Sequence, residues 1–405
     1  AVAINLSLPE AVHPVAGVRI GTACAGIKQS SRDDLALFVF DPGTQIAGVY
    51  TQSHFAAAPV LVAKENEKSS LSWIVNSGNA NAATGYRGET DARKTCQLVA
   101  ERLSLPNNSV QPFSTGVIGE FLPMSRVAEA VAEASSRLTP GEWERAATAI
   151  MTTDTRPKIV SSQVKIAGQL VTITGVAKGS GMIKPDMATM LAFIASDIPI
   201  ERTLLKELLT EICDKSFNRI TVDGDTSTND CFMLACTGVV NMPVISSQDD
   251  PRYDQVKDIF LDHAKELAQS IVRDGEGASK FISISVEGGV NEEECLAVAY
   301  SVAESPLVKT ALFAGDPNWG RFCMAIGKAP VDQIDVNLVE LWLDDVLVAK
   351  RGMLSSSYSE DQGVKVLAKD EFSVRICLGR GESSAEIWTT DLSYDYIKIN
   401  AEYRT

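Results

Sequence analysis

Apolar and polar positions change rhythm several times along this chain, and each rhythm predicts an element. Leu35-Ala-Leu-Phe-Val-Phe40 and Ile46-Ala-Gly-Val-Tyr50 are apolar runs bounded by turn residues, which predicts paired strands between Val18 and Val62. Leu71-Ser-Trp-Ile-Val-Asn76 predicts another strand, ending in a loop of small residues that extends to Gly85. Cys96, Val99 and Leu103 fall near helical spacing within 90–104, and Val127, Val131 and Leu138 share one side of a helix from Ser125. Gln111 to Glu120 reads as a Gly-containing loop. Thr139-Pro-Gly-Glu142 reads as a helix start, with an N-cap, a proline at N1 and a capping-box glutamate. Residues 158–176 alternate and predict two strands, and Met190 to Ile194 predicts a short buried one. Amphipathic helices are expected over 199–217 and 251–273, a strand at Phe281–Val286 and one helix over 294–311. Strands dominate from Ile334 onward. The fold class is mixed α/β (α+β), with layered sheets and helices.

Composition sharpens this picture. A chain of 405 residues exceeds the ~250–300 at which single cores stop growing, so two lobes are expected. Its 45% apolar and 22% charged residues suit a packed core without disorder. A net charge of −15 argues against nucleic acid and anionic membranes as partners. No apolar run approaches the ~18 residues that span a bilayer, and the N-terminus lacks a basic signal, so a soluble, cytoplasmic protein is expected. Eight cysteines without a C-x-x-C pair read as free, mostly buried thiols. The three histidines, His13, His54 and His263, are isolated in sequence. That speaks against a multi-histidine metal site and leaves any nucleophile to find its base elsewhere.

The common nucleotide and nucleophile motifs fail on specific residues. Gly21-Thr-Ala-Cys-Ala-Gly26 is followed by Ile27 where a P-loop needs lysine, and Lys184 replaces the last glycine of a dinucleotide loop begun at Gly179. Asp223-Gly-Asp-Thr-Ser-Thr-Asn-Asp230 resembles a calcium loop, but Thr228 and Leu234 stand where glycine and glutamate are required. Ser162-Gln-Val-Lys165 lies in a strand pattern, and Lys178 spoils a nucleophile elbow at Ser180. What remains is the junction Lys178-Gly-Ser-Gly-Met-Ile-Lys-Pro-Asp-Met-Ala-Thr-Met-Leu191, where a glycine-rich loop meets the buried strand. Cleavage before Thr189 would free an α-amine of pKa ~7.7–8.0 beside the hydroxyl it must activate.

That junction closely resembles the self-cleavage segment of the ornithine acetyltransferase (glutamate N-acetyltransferase) family of arginine biosynthesis. Further blocks follow in the family's order: Asn76-Ser-Gly-Asn-Ala-Asn-Ala, Ser114-Thr-Gly-Val-Ile-Gly119, Asp223 to Asp230, Gly275-Glu-Gly-Ala-Ser-Lys280, Gly315-Asp-Pro-Asn-Trp-Gly-Arg321 and Ile399-Asn-Ala-Glu-Tyr-Arg-Thr405. The resemblance implies an N-terminal-nucleophile-like, self-processing site. The chain would be cut between Ala188 and Thr189 into an α chain, 1–188, and a β chain, 189–405, assembling as a heterotetramer of two of each. Thr189 would carry acetyl from N2-acetyl-L-ornithine to L-glutamate in a ping-pong cycle, with Thr115 and Gly116 forming the oxyanion hole. Thr152, Lys178, Thr189, Glu276, Asn400 and Thr405 would bind substrate. No metal or organic cofactor is implied, and acetyl-CoA is a candidate co-substrate. Asp223–Asp230 and Asp316–Arg321 are assigned to scaffold support. Two rivals stand beside this reading: an N-terminal-nucleophile aminopeptidase or amidase, and a non-catalytic metabolite-binding protein.

Overall fold

Every residue of the strand Leu35–Phe40 is buried, because its alternate side chains supply two different cores. In the computed structural model, which describes residues 3–28, 31–184 and 190–402, this strand lies inside a four-stranded sheet. The order is Val18–Ala23, Leu35–Phe40, Ser72–Asn79, Val110–Val117. Leu35, Leu37 and Val39 pack with Ala92, Cys96 and Val99 of the helix Gly85–Leu103 and with Val127 and Val131 of the helix Met124–Ser136. Ala36, Phe38 and Phe40 point the other way, into a core shared with a five-stranded sheet.

That second sheet has the order Gln45–Tyr50, Cys231–Cys236, Leu191–Ser196, Gln169–Lys178, Lys158–Ile166. Leu191, Phe193 and Ala195 enter the shared core together with Cys231, Met233 and Ala235. Phe193 is its hub, with ring centroids 5.7 Å from Phe38, 5.4 Å from Trp73 and 5.2 Å from Phe113. Two face-to-face sheets with helices outside make the layered mixed α/β architecture. Both belong to one compact unit, Ser7–Asn218 with Asp225–Ile271.

A second compact unit comprises Ala1–Leu6, Arg219–Gly224 and Val272–Thr405. Its seven-stranded sheet has the order Met353–Leu354, Val346–Lys350, Glu340–Leu343, Glu371–Cys377, Phe281–Gly289, Ser383–Thr390, Ile220–Thr221. Ile282, Ile284 and Val286 pack on Val298, Val302, Leu312 and Phe322 of the covering helices. Ser283, Ser285 and Glu287 alternate with them and are half-buried, as expected for a strand with one polar face. These units divide the chain by packing, whereas the expected 1–188 and 189–405 chains divide it by covalent cleavage.

Several expectations are corrected. Strands do not continue to Val62: Ala58–Asn66 is a helix, with Pro59 in its first turn. The segment read as a loop at Gln111–Glu120 is largely the strand Val110–Val117; it lies at the sheet edge, where Pro112 is tolerated. Thr139 caps no helix. It exchanges backbone hydrogen bonds of 2.8 and 2.9 Å with Ile20, and the helix starts at Trp143. The single helix expected over 294–311 is two, Glu292–Ala303 and Pro306–Ala314, because Ser305 caps Val308 and Pro306 cannot continue a preceding turn. The C-terminal stretch carries helices Glu360–Leu367 and Tyr394–Glu402 among its strands. None of the eight cysteines is in a disulfide; five are buried, while Cys24 and Cys323 are exposed and Cys377 is intermediate. Among the described residues no helix is long and apolar enough to cross a membrane.

Phe193→Ala is expected to destabilise the first unit by about 3–5 kcal/mol, the usual cost of emptying a buried aromatic site. Denaturant unfolding followed by tryptophan fluorescence checks this.

Candidate functional site

The first unit gathers Thr115, Gly116, Thr152 and Lys178 through one hydrogen-bonded chain. The strands Ser72–Asn79 and Val110–Val117 run parallel, and their register shifts at Gly78 and Asn79. Gly116 has φ +135°, and a Cβ there would lie 2.2 Å from the Gly78 carbonyl carbon and 2.5 Å from the Asn79 nitrogen. Only glycine allows the two backbones to meet so closely. The neighbouring Thr115 is buried, and the Lys178 Nζ donates to its Oγ1 at 3.0 Å. Because an ammonium has only donors, the threonine oxygen must accept, which leaves the hydroxyl proton to point elsewhere.

Lys178 ends its strand opposite Leu191, the first residue of the strand after the glycine-rich junction. Its surroundings are set by Asp154, which is 7% exposed. The Asp154 carboxylate accepts from Lys158 Nζ at 2.6 Å, from the Gly179 N–H at 2.7 Å and from the Thr152 N–H at 2.9 Å. Burial is the largest influence on this carboxyl and opposes its charge. The Lys158 and Lys178 cations and the Gly179 N–H together outweigh it and hold the group below the usual carboxylate range. Thr153 and Ser180 hydroxyls meet at 2.6 Å and tie the same two segments again. Lys28 approaches from the loop wrapped around Asp34 and donates to the Met151 carbonyl. Burial, then the Arg32 and Lys178 charges, lower its ammonium to about 8.

Support for this arrangement comes from the polar motif at 223–230. Asn229 Nδ2 donates to the Ala80 carbonyl at 2.6 Å and the Ser114 carbonyl at 2.8 Å, clamping the ends of both parallel strands. Thr51 binds the same motif, from its N–H to the Asp230 carbonyl and from its hydroxyl to the Ser227 carbonyl, both at 2.9 Å.

The second unit brings Glu276 and Asn400 together. Asn400 Nδ2 donates to Glu276 Oε2 at 2.7 Å and to the Tyr396 carbonyl at 3.0 Å. Gly277, at φ +67°, lets the loop pass so near the C-terminal helix that a Cβ would fall 2.3 Å from the Tyr396 nitrogen. Asp391 accepts from the Ser279 and Lys280 N–H groups at 2.9 and 3.1 Å, and Ser393 Oγ donates to the Gly277 carbonyl at 2.6 Å. Asn318 caps the helix Trp319–Gly327, giving the 316–321 block a structural role.

Ala188, Thr189 and Thr405 lie outside the described residues. Asn229 belongs to the 223–230 block assigned to scaffold support, whereas Asp154, Lys28 and Asp391 were not singled out from the sequence. Their polar neighbours in sequence resemble any turn, and only the fold brings their partners close.

Removing Asp154 leaves Lys158, whose side chain is fully buried, without its carboxylate. Asp154→Ala is expected to cost about 3–5 kcal/mol at neutral pH. Because the folded pKa is depressed, this stabilisation exists above the ordinary carboxylate range and is lost as pH falls through the folded value. Urea titrations of both proteins from pH 7 into acid should show the gap closing.

Residues 19–405 match the ArgJ family. The chain is 47% identical over 404 residues to the arginine biosynthesis bifunctional protein ArgJ of Pseudomonas syringae pv. tomato, covering 100% of each. The same figures hold for the ArgJ protein of Pseudomonas fluorescens. A crystal structure of ArgJ from Bacillus halodurans is similar at 34% identity and a TM-score of 0.51, covering 53% of this chain and 99% of that one. With nearly its whole length matched and full-length relatives at this identity, the chain belongs to the ArgJ family.

Proposed function

We propose that this chain transfers the acetyl group of N2-acetyl-L-ornithine to L-glutamate in arginine biosynthesis, through an acetyl ester on Thr189 exposed by self-cleavage after Ala188. Membership of the ArgJ family supports acetyl transfer in this pathway. The observation that carries the site assignment is the Lys178–Thr115 hydrogen bond beside Gly116, a position that only glycine can fill.

In the first half-reaction the Thr189 α-amine takes the Oγ proton as Oγ adds to the acetyl carbonyl. The developing oxyanion meets the Thr115 hydroxyl and the Gly116 N–H, donors worth ~2.7–4 kcal/mol each in comparable sites. Collapse breaks the C–N bond, the amine proton passes to the departing nitrogen, and ornithine leaves. Glutamate's amine then attacks the ester by the reverse route. Lys178 suits a substrate carboxylate and Glu276 a side-chain ammonium. Thr152, Asn400 and Thr405 complete the substrate contacts in this reading. No metal or organic cofactor takes part.

Acetyl-CoA would enter as a second donor, in keeping with the word bifunctional in the relatives' names. The working form is a cytoplasmic heterotetramer of two α and two β chains. An amidase would pass the acetyl group to water instead, so the ratio of N-acetylglutamate to acetate separates the two activities.

Purified protein should run as two chains, 1–188 and 189–405, by intact mass. Thr189→Ala should remain one chain and lose transfer from acetylornithine to glutamate; a Thr189→Ala protein that still transfers acetyl contradicts the assignment. Gly116→Ala should lower kcat by ~10²–10³, the cost of disturbing one oxyanion donor. Steady-state kinetics on the cut protein checks this.

A further inference from the structure

Lys28 lies against the strand that pairs with Thr115 and Gly116. The loop before it is gathered by the fully buried Asp34, which accepts from the Ala25 N–H at 2.6 Å, the Ile27 N–H at 2.7 Å and the Lys28 N–H at 3.1 Å. The Asp34 carbonyl accepts from the Ser77 N–H at 2.9 Å, which holds this loop on the strand Ser72–Asn79. Gly78, at φ +97°, makes room for the lysine. A Cβ there would fall 2.8 Å from Lys28 Cγ and 3.3 Å from the Lys28 nitrogen. Gly78 is also the residue paired with Gly116, so the Lys28 stem rests on the partner of that glycine.

The ammonium reaches another part of the same cluster. Its Nζ donates to the carbonyl of Met151, the residue before Thr152. The charges acting on it are those of Arg32, Asp34, Lys178 and Asp154. Both carboxylates are engaged elsewhere, Asp34 by the loop N–H groups and Asp154 by Lys158, Gly179 and Thr152. An ammonium carries three donors. Among the described residues Lys28 Nζ has one acceptor, the Met151 carbonyl, and no carboxylate forms an ion pair with it. Two donors of a half-buried cation are therefore open near a second cation, Lys178. Like charges held close disfavour one another, and an anion shared by both relieves that repulsion.

We propose that Lys28 binds a carboxylate of the substrate together with Lys178. The inference rests on the acetyl-transfer reading above and adds a residue to it. N2-acetyl-L-ornithine and L-glutamate both carry an α-carboxylate, whereas only glutamate has a second one on its side chain. Lys28 and Lys178 would hold the first in both half-reactions, or the second when glutamate is the acceptor. Lys28 takes no covalent part. Its pKa of about 8 leaves it mostly charged at neutral pH, as an anion receptor must be.

The test compares the purified wild-type protein with Lys28→Gln, which keeps an N–H for the Met151 carbonyl and removes the charge. In a ping-pong cycle kcat/KM for each substrate reports its own half-reaction, so two assays separate the two carboxylates. The value for glutamate should fall about tenfold or more, the scale of one lost charged hydrogen bond. A matching fall for acetylornithine assigns Lys28 to the α-carboxylate; an unchanged value for acetylornithine assigns it to the glutamate side chain. Lys28→Arg restores the charge and should recover part of the loss. A Lys28→Gln enzyme within about twofold of wild type for both substrates overturns the inference. A second measurement needs no variant: wild-type protein is treated with an amine-acylating reagent, with and without saturating glutamate, and labelling is read by peptide mass spectrometry. Glutamate should suppress labelling of Lys28 while exposed Lys94 labels as before. Equal labelling of Lys28 in both samples overturns the inference, and this result decides if Lys28→Gln fails to fold. If the wild type transfers no acetyl to glutamate, the acetyl-transfer reading fails and the labelling still tests Lys28. If it transfers acetyl and only the Lys28 results disagree, that reading stands and this inference falls.

Discussion

The buried carboxylate of Asp154 is the interaction on which the Thr152, Lys178 and Thr115 cluster of the first unit depends. One side chain receives Lys158, the Gly179 N–H and the Thr152 N–H, and so binds the 151–155 turn to the end of the Lys178 strand. Its charge survives burial because two cations and a peptide dipole face it. Lys178 is one of the charges facing that carboxylate, and its Nζ in turn donates to Thr115 Oγ1 and so turns the hydroxyl proton away. Remove the carboxylate and the buried Lys158 loses the negative charge that faces it.

The layered sheets supply the rigid frame. The parallel strands pair at Gly78 and Gly116 one residue before their ends, and Asn229 clamps the nearby Ala80 and Ser114 carbonyls. A backbone N–H at such an edge is held in place before any substrate arrives, which is what makes it useful to a developing negative charge. In the second unit the same logic recurs at smaller scale, where Asp391, Ser393 and Gly277 lock the loop carrying Glu276 against the helix carrying Asn400. Function is placed on loop ends, but each loop end is pinned by buried polar groups.

Much of this was legible in the sequence where periodicity and local chemistry agree. The alternation through 158–176 and the apolar runs at 35–40 and 191–194 became strands because nothing local competes with that pattern. The pattern misled where a tertiary contact outweighed a local one. Thr139 looks like a helix cap, yet Ile20 claims its backbone first, and Pro112 looks like a loop signal although an edge strand accommodates it. Among site residues, Thr115, Gly116, Lys178, Glu276 and Asn400 were named through motif resemblance. Asp154 was not, since a carboxylate's burial depends on segments far away in the chain. No local spacing encodes it.

In the proposed cycle, acetyl rests covalently on Thr189 between donor and acceptor. The direct measurement is intact and fragment mass spectrometry of the purified protein mixed with N2-acetyl-L-ornithine and no glutamate. One added acetyl group should appear on the 189–405 chain, map to Thr189, and disappear when glutamate is supplied. Full turnover with no adduct on that chain, or an adduct on another residue that glutamate discharges, would contradict the account.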